Sequence, residues 1–555
     1  MGFRWIVGGV GLNNGHGMMA SVGRSGLGRW GMATGLALAL LAGGPALADG
    51  DHVLRRWLQA EPETLDPQKS TGNPDSQVEG DLYQGLAIWD RAKHPAPGIA
   101  ERWDVSADGL TYTFHLRHNA TWSNGDPVTS ADFLYSFRRL VDPKTAAGDI
   151  DPLRGVVNAE AINAGKIADP AQLGVEAPDP YTFVMHLSAP DLTLPELLTG
   201  RFTYPLHRAT IEAHPTDWTR PGIAVTDGPF MLKSWVPHDQ IVVVKNPRYY
   251  DAASIKLDEV DHVESDDDAT ALKRYLAGDL DITRAPTRQL PALRKEHPDE
   301  LHTGISRATS YLPINLTRGP LGQDVRLRQA LAMTIDRDTL TDKVFVRGQH
   351  PTYSFTPAVI ASHGYEPQKF DFADLSMAER VKRGRALLAE AGYGPGHPLT
   401  VTITYPTNDE IRGLMSAIAS MWQTNLGIEV KLDNQEWQVF LTSLRQKTYE
   451  IGSLALQIDF DDPVQFLRVY ASDAGDFNDA GYANPAFDAA IRQARVALDW
   501  PTRNALAEKA ERLLMDDAAI IPIFSYANNY MVKPRVQGWR DNEADAASRF
   551  LAVKD

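Results

Sequence analysis

Hydrophobic and polar residues alternate along several short stretches of this chain, a pattern typical of strands that bury one face. In the clearest case, Tyr112, Phe114 and Leu116 are separated by single polar residues. The tight-turn signal Asp108-Gly109 comes just before them, so we predict a β-hairpin within residues 100–117. Alternation or short apolar runs predict further strands at 52–57, 230–235, 182–187, 240–245, 256–263, 399–405, 428–432 and 520–524.

Helical spacing becomes more frequent after residue 324. Leu327, Leu331 and Ile335 fall on one helical face, and Ser376 with Glu379 forms a capping box that predicts the start of another helix. Strands and helices then alternate between residues 399 and 432, which indicates a mixed sheet flanked by helices, with ligands beyond its strand ends. Further helices are predicted at 133–140, 411–426, 491–498 and 503–514, and residues 81–89 are predicted to be a helix running into a strand.

An apolar run that leads directly into acidic residues, Ala455-Leu-Gln-Ile-Asp459-Phe-Asp-Asp-Pro463, is the candidate ligand site. The proline stops the strand, so Asp459 is predicted at a strand end where a cleft can open. A carboxylate in an apolar pocket binds an ammonium group strongly, because charge-assisted hydrogen bonds gain strength as the local dielectric falls. One alternative is a solvated turn with three acids. A calcium loop is disfavoured because the downstream glycine and the bidentate glutamate are missing.

The start of the chain has the features of an export signal. Basic residues precede the apolar run at residues 32–42, and Ala46-Leu-Ala48 follows, so cleavage is predicted after Ala48. The basic part is long, which leaves Met18 or Met19 as alternative start sites. There are no cysteines, so we predict a free periplasmic protein without disulfides or a lipid anchor.

Charge and motif content favour a binding protein over an enzyme. The 555 residues carry a net charge of −16, which repels nucleic acid and anionic lipid. The mature sequence has no nucleophile elbow, zinc-protease helix or phosphate loop, so no catalytic residue, cofactor or metal is predicted. A pair of distant carboxylates for glycoside hydrolysis stays open. The acidic run 264–268 is predicted to be a solvated helix start, and the glycines at 392–396 a helix end with a linker.

Several stretches together resemble one family. The chain is similar to the dipeptide/oligopeptide-binding extracytoplasmic solute-binding proteins of ABC importers (family 5), and most of all to their oligopeptide-binding branch. The resemblance covers almost the whole mature chain. The stretches that carry it are 100–117, 122–128, 131–133, 226–230, 245–250, 324–331, 388–393 and 434–437.

This resemblance implies an α/β, two-lobed periplasmic-binding-protein fold, with mixed sheets flanked by helices and a third, inserted α+β domain. After the signal peptide at 1–48, domain I would be discontinuous, and the lobes would close on the ligand. The implied limits are 49–83, 207–307 and 525–555 for domain I, 84–206 for the inserted domain II, and 308–524 for the ligand-binding domain III.

The resemblance also implies a set of ligand contacts. Asp459 would pair with the α-amino group of a peptide whose backbone is held by strand-like hydrogen bonds. Ser453 stands where relatives carry a basic residue for the peptide carboxylate, as do Ile411 and Leu444, and Arg445 is one residue away from the last of these. The complete predicted set is Asp459, Gln457, Phe460, Leu456, Ser453, Arg445, Trp437, Tyr405, Tyr311 and Thr71.

The predicted function is capture of short peptides in the periplasm and their delivery to a membrane ABC permease/ATPase complex by a monomeric binding protein. A non-peptide, amine-bearing ligand such as an opine or an amino-sugar conjugate is the alternative within the family. A secreted hydrolase and a periplasmic chaperone are the alternatives from other classes.

Overall fold

A computed structural model describes residues 4–5, 52–458, 461–541 and 547–554. The predicted cleavage site after Ala48 lies outside the described residues, as do Asp459 and Phe460. None of the helices in these ranges has the length and apolarity needed to cross a bilayer.

The first part of the chain, up to residue 206, contains mostly short elements. Its strands are β1 (Arg4–Trp5), β2 (Val53–Leu58), β3 (Ala87–Trp89), β4 (Pro95–Pro97), β5 (Ala100–Val105), β6 (Thr111–Leu116), β7 (Val175–Asp179) and β8 (Thr182–His186). Its helices are α1 (Asn73–Leu82), α2 (Ser130–Val141), α3 (Ala159–Asn163) and α4 (Leu194–Leu197).

The remaining chain is richer in helices. Its helices are α5 (Arg208–Ala213), α6 (Asp268–Ala277), α7 (Leu290–Glu296), α8 (Gly319–Gln323), α9 (Val325–Met333), α10 (Arg337–Thr339), α11 (Met377–Glu390), α12 (Asp409–Leu426), α13 (Trp437–Arg445), α14 (Pro463–Leu467), α15 (Pro485–Arg495) and α16 (Trp500–Asp516). Its strands are β9 (Phe230–Val236), β10 (Gln240–Lys245), β11 (Glu259–Glu264), β12 (Ile282–Arg284), β13 (Leu301–Pro313), β14 (His350–Pro351), β15 (Thr400–Pro406), β16 (Glu429–Gln435), β17 (Ile451–Gly452), β18 (Leu454–Gln457), β19 (Ile520–Val532), β20 (Val536–Gln537) and β21 (Ala552–Val553).

The strands form an α/β fold with mixed sheets flanked by helices. The largest sheet has the order β1-β18-β13-β19-β12-β2-β11-β10-β9, and β14 also pairs with β19. In this sheet β2 runs parallel to β11 and β12, whereas β13 and β19 run antiparallel. A four-stranded antiparallel sheet, β5-β6-β8-β7, belongs to the inserted α+β domain, and a three-stranded parallel sheet, β16-β15-β17, lies in the C-terminal third.

The buried apolar side chains form separate clusters. One lies within residues 86–198, and the largest lies within 311–524. A third is discontinuous and joins Leu54 to Val553, from opposite ends of the chain. A smaller satellite cluster around Tyr275 adjoins the same lobe. The domain limits given above stay a prediction, which this division of the core supports.

Two long strands join the two lobes. β13 and β19 pair antiparallel from Leu301↔Met531 to Pro313↔Ile520, with register shifts after Ile305 and after Ser310. At one end of this pair β19 continues the sheet through β12, and at the other end β13 continues it through β18. Irregularities of this kind bend strands locally, so this pair can serve as a hinge between the lobes.

Most predicted elements are confirmed, with different boundaries in three places. The hairpin β5–β6 turns at Gly109, whose φ of 69° suits glycine. The predicted helix before the strand at 87–89 lies earlier, because α1 begins with a proline in its first turn. α15 begins at Pro485 rather than near 491, since Asn484 caps it, and β19 extends to Val532. Asp267 caps α6, as expected for the acidic run.

Candidate functional site

The strand β18 has one edge inside the large sheet and one edge that receives a short, separate piece of chain. On its inner edge it pairs with β13, with Tyr311 opposite Leu454. On its outer edge it pairs antiparallel with β1, and Arg4 lies opposite Gln457. An extended backbone therefore fits along this outer edge, just before the acidic segment begins.

Two of the three acids after β18 are neutralised by arginines. Asp461 forms an ion pair with Arg307. Asp462 accepts a hydrogen bond from Arg503 Nη2 at 2.8 Å, and its other oxygen accepts one from the Val464 backbone N–H at 3.0 Å, which caps α14. Asp461 and Asp462 are only 8% and 2% exposed, so a solvated turn does not describe them. The predicted role of Asp459 in ligand binding stays a prediction.

The predicted contacts near β18 divide into buried and accessible side chains. Ser453 and Leu456 are buried, whereas Gln457 is partly exposed. Tyr311 is fully buried, and its ring lies 5.0 Å from that of Phe355. Burial raises the pKa of Tyr311 well above its ordinary value. The side chain of Tyr311 therefore packs in the core beneath the strand, while its backbone pairs with β18.

Three further predicted contacts lie on neighbouring elements. Tyr405 is buried near the end of β15, opposite Asn434 of β16. Trp437 begins α13 and is partly exposed, whereas Arg445 ends the same helix, is exposed and donates to the Leu441 carbonyl at 3.3 Å. The structure thus brings Tyr405 and α13 to the lobe that contains β18, and Arg445 is occupied at its own helix end.

Thr71 comes from the other lobe. It is exposed in the loop before α1, next to Gly72. Arg201 Nη1 and Nη2 donate to the backbone carbonyls of Gly72 and Ser70 at 3.2 and 3.3 Å, which fixes the path of this loop. The ligand roles of Thr71 and of the residues around β18 all stay predictions.

Sequence reasoning missed the two arginines that hold the acidic segment. Arg307 lies 154 residues from Asp461 in the sequence, and Arg503 lies 41 residues from Asp462. No local motif signals pairs at such separations. Burial is what makes these acids need compensating cations, and it is not visible in the sequence.

One group of side chains in the described ranges has the composition of a metal site. Oxygens of Glu61 and Glu264 and a ring nitrogen of His238 lie within 4.8 Å of one another. However, both Glu61 oxygens already accept hydrogen bonds, from the Trp235 indole and from the His238 backbone N–H. The group lies around the β9–β10 turn in the other lobe, and we assign no metal there.

Comparisons with known proteins place these features in context. The sequence profile of "Bacterial extracellular solute-binding proteins, family 5 Middle" matches residues 94–478. The periplasmic murein peptide-binding protein MppA of Escherichia coli is 37% identical, over 92% of this chain and 94% of that protein. The periplasmic oligopeptide-binding protein OppA of Salmonella typhimurium is 38% identical, over 92% and 95%. A further relative, the "Probable deoxycholate-binding periplasmic protein YgiS" of Escherichia coli, is 35% identical over 88% and 90%.

Solved structures agree with the fold and differ in how well they superpose. The unliganded open form of the murein tripeptide-binding protein MppA gives a TM-score of 0.86 at 36% identity, covering 91% of this chain and 98% of that one. OppA of Haemophilus influenzae in complex with the peptide RPPGFSPFR gives 0.65 at 35% identity, covering 91% and 99%. Identity and coverage are nearly equal, so sequence divergence does not account for the difference in TM-score.

Proposed function

Because this chain belongs to the family 5 bacterial extracellular solute-binding proteins, we propose that it captures short peptides in the periplasm and delivers them to an ABC importer. The observation that carries this proposal is the outer edge of β18, which pairs antiparallel with Arg4–Trp5. Because the proposed cleavage after Ala48 removes these two residues, the edge would then be available to a ligand strand. A peptide ligand in the same place would be held mainly by main-chain hydrogen bonds, which do not depend on its side chains. Broad sequence tolerance would follow.

Asp459 supplies the directional contact in this proposal. It follows β18 by two residues, so the amino end of a peptide lying along the strand would be near its carboxylate. Asp461 and Asp462 are already paired with arginines, which leaves Asp459 as the acid of this segment that we assign to the ligand ammonium. Trp437 and Gln457, which are partly exposed, are our candidates for side-chain contacts.

Closure of the two lobes completes the proposed cycle. The arrangement of the lobes resembles that of the unliganded open form of MppA more than that of a peptide complex. A ligand that contacts both lobes stabilises the closed state, and the closed state is what an importer in the membrane would recognise. Thr71 would contribute to this from the lobe opposite β18.

The proposal includes an address and a set of partners. We propose cleavage after Ala48, release into the periplasm without a lipid anchor, and action as a monomer with a permease/ATPase complex. The absence of cysteine supports the lack of a lipid anchor, because the modified residue of a lipoprotein is a cysteine. No catalytic step is proposed.

The experiment that tests the function is native mass spectrometry of the protein as isolated, with identification of what is released. Short peptides support the proposal, and a single non-peptide mass overturns the ligand class.

Calorimetry with trialanine and N-acetyl-trialanine then tests the amine anchor. We expect Asp459→Ala to weaken trialanine binding by about 2–5 kcal/mol, because the ammonium is left buried without a partner. Asp473→Ala, at an exposed acid of the same lobe, is the control. Equal affinity of the wild type for the two peptides would remove Asp459 from the site.

A non-peptide ligand is the second candidate. The positions Ser453, Ile411 and Leu444 are uncharged and buried, so they offer no cation to a peptide carboxylate. A ligand with an amine and no terminal carboxylate fits these residues equally well. The relative named for deoxycholate binding adds a family member whose name describes a different ligand class.

A further inference from the structure

The two lobes touch each other through a histidine and a buried glutamate. Glu196 lies in α4 of the inserted domain, and its Oε1 is 3.2 Å from Nε2 of His363, which belongs to the C-terminal domain. The His363 ring stacks on Trp500 at the start of α16, with 3.7 Å between ring centroids and 5° between planes. The imidazole is therefore held between a carboxylate of one lobe and an indole of the other.

His363 is positioned by its own lobe. Its backbone adopts a φ of 56°, in the left-handed region that a non-glycine residue seldom adopts. Its carbonyl accepts a hydrogen bond from Asn504 Nδ2 at 2.8 Å, which ties the loop to α16. The stacked Trp500 and this hydrogen bond fix the ring so that Nε2 points at the facing lobe.

Glu196 depends on the facing lobe for its hydrogen bonding. Its side chain is only 2% exposed, and the second carboxylate oxygen, Oε2, has no hydrogen-bond partner among the described residues. Arg503 and Asp462 of the facing lobe also act electrostatically on this carboxyl group, with opposite signs. Separation from His363 would leave the buried carboxyl group without this partner until water reached it.

A second contact lies near the first. Leu498, which is 54% exposed, approaches Gly109 at the turn of the β5–β6 hairpin. A Cβ atom at Gly109 would lie 2.7 Å from Leu498 Cδ2 and 3.0 Å from Pro190 Cβ. The inserted domain thus meets the C-terminal domain at two places, at His363 and at the loop between α15 and α16.

This contact is connected to the proposed ligand segment. The guanidinium of Arg503 lies 5.8 Å from the Trp500 ring and pairs with Asp462, three residues after Asp459. The side chains His363, Trp500, Arg503 and Asp462 therefore form a continuous series from the lobe contact to the acidic segment.

We propose that Glu196, His363 and Trp500 form a latch between the lobes that favours their separated arrangement and so lowers the affinity for ligand. Glu196 and His363 belong to different lobes, so rotation about the β13–β19 pair changes their distance. At 3.2 Å the Glu196–His363 hydrogen bond is already at the upper end of the normal range, so a closure that lengthens it by about 1 Å breaks it. Ligand binding then has to offset the loss of the latch. This inference rests on the lobe closure in the proposed function.

The test uses the absence of cysteine in the chain. Cysteines placed at the exposed Lys144 and Lys431, one in each lobe, carry spin labels for distance measurements on the ligand-free protein. We expect Glu196→Met, which removes the acceptor, and His363→Ala each to move the ligand-free distance distribution toward the closed population. The Kd for trialanine should then fall about three- to tenfold, since a larger fraction of the protein is competent to close.

The control is His397→Ala. His397 also stacks on an aromatic ring, that of Tyr393 at 5.1 Å and 12°, but it lies in an exposed turn after α11. Unchanged distances in both latch variants, or a shift toward wider separation, overturn the latch. Glu196→Met keeps much of the side-chain volume and removes the acceptor, so it remains informative if His363→Ala does not fold. A wild type that does not bind trialanine would contradict the proposed ligand and leave the distance measurement decisive for the latch.

Discussion

The buried ion pair between Arg503 and Asp462 allows the most direct test of how the acidic segment is held. Arg503 is 3% exposed and Asp462 is 2% exposed, and they are joined at 2.8 Å. Arg503 also donates to the carbonyl of Ala494 at 2.7 Å, which fixes α15 against α16. Arg503→Met keeps much of the side-chain volume and removes both the charge and these donors.

The expected cost follows from what the substitution leaves behind. Asp462 stays buried without its counter-ion, and breaking a buried pair from one side costs about 3–5 kcal/mol of unfolding free energy. Asp462→Asn removes the charge while keeping an acceptor for the Val464 N–H. The double variant Arg503→Met/Asp462→Asn should therefore be more stable than Arg503→Met alone by about 1–3 kcal/mol, since no unpaired charge remains.

Urea unfolding of the wild type, the two single variants and the double variant gives each change in the free energy of unfolding as the shift of the midpoint multiplied by the slope. Arg492→Met is the matched control, because Arg492 is an exposed arginine on α15, and its replacement should change stability by no more than about 0.5 kcal/mol. A cost of Arg503→Met below about 1 kcal/mol, or a double variant no more stable than the single one, would refute the claim that this pair holds the segment.

Three further predictions concern the rest of the fold. Burial raises the pKa of Glu79 from 4.5 to about 8, so its stabilising contribution is complete below pH 4.5 and is lost as the pH rises through 8. Between these pH values the Tm of Glu79→Gln should therefore fall less than the Tm of the wild type, and an equal fall would contradict this prediction. Gly228→Ala should lower the free energy of unfolding in urea by several kcal/mol, on the order of a strongly destabilising core change, because the new Cβ would lie 2.6 Å from the Leu82 carbonyl oxygen. A change near zero would mean that this backbone contact is not tight. Ser376→Ala removes the side-chain oxygen that accepts from the Glu379 N–H at the start of α11, and it should lower the free energy of unfolding in urea by about 1 kcal/mol. Ser376→Asp keeps a capping oxygen and should retain most of that stability.

The elements that were predicted correctly from the sequence are those that depend on residues close together in the chain. The Asp108-Gly109 turn and the Ser376–Glu379 capping box are both present, because each depends on residues within a few positions of one another. The start of α15 was predicted too late, although Asn484-Pro485 is itself a local start signal. Hydrophobic spacing indicates the middle of a helix better than its ends.

Features that depend on distant residues were not predictable in the same way. The sequence singled out Asp459 among the acids after β18 as the predicted ligand contact, but it did not show what neutralises the other two. Their partners, Arg307 and Arg503, reach Asp461 and Asp462 only after the domain has folded. The contact between Glu196 and His363 is harder still to predict, because it also depends on how two lobes are oriented.

The discontinuous core cluster has a consequence for the order in which the molecule is completed. Leu54 near its beginning and Val553 near its end pack in the same cluster, whereas the clusters of residues 86–198 and 311–524 each come from one uninterrupted stretch. A chain that is synthesised from its amino end can assemble the two continuous cores before its last residues are added. The core that begins first is finished last, when the final strand, β21, becomes available to pair with β20. This closure joins residues from opposite ends of the chain, and the part of the core around β2 remains incompletely packed until it occurs.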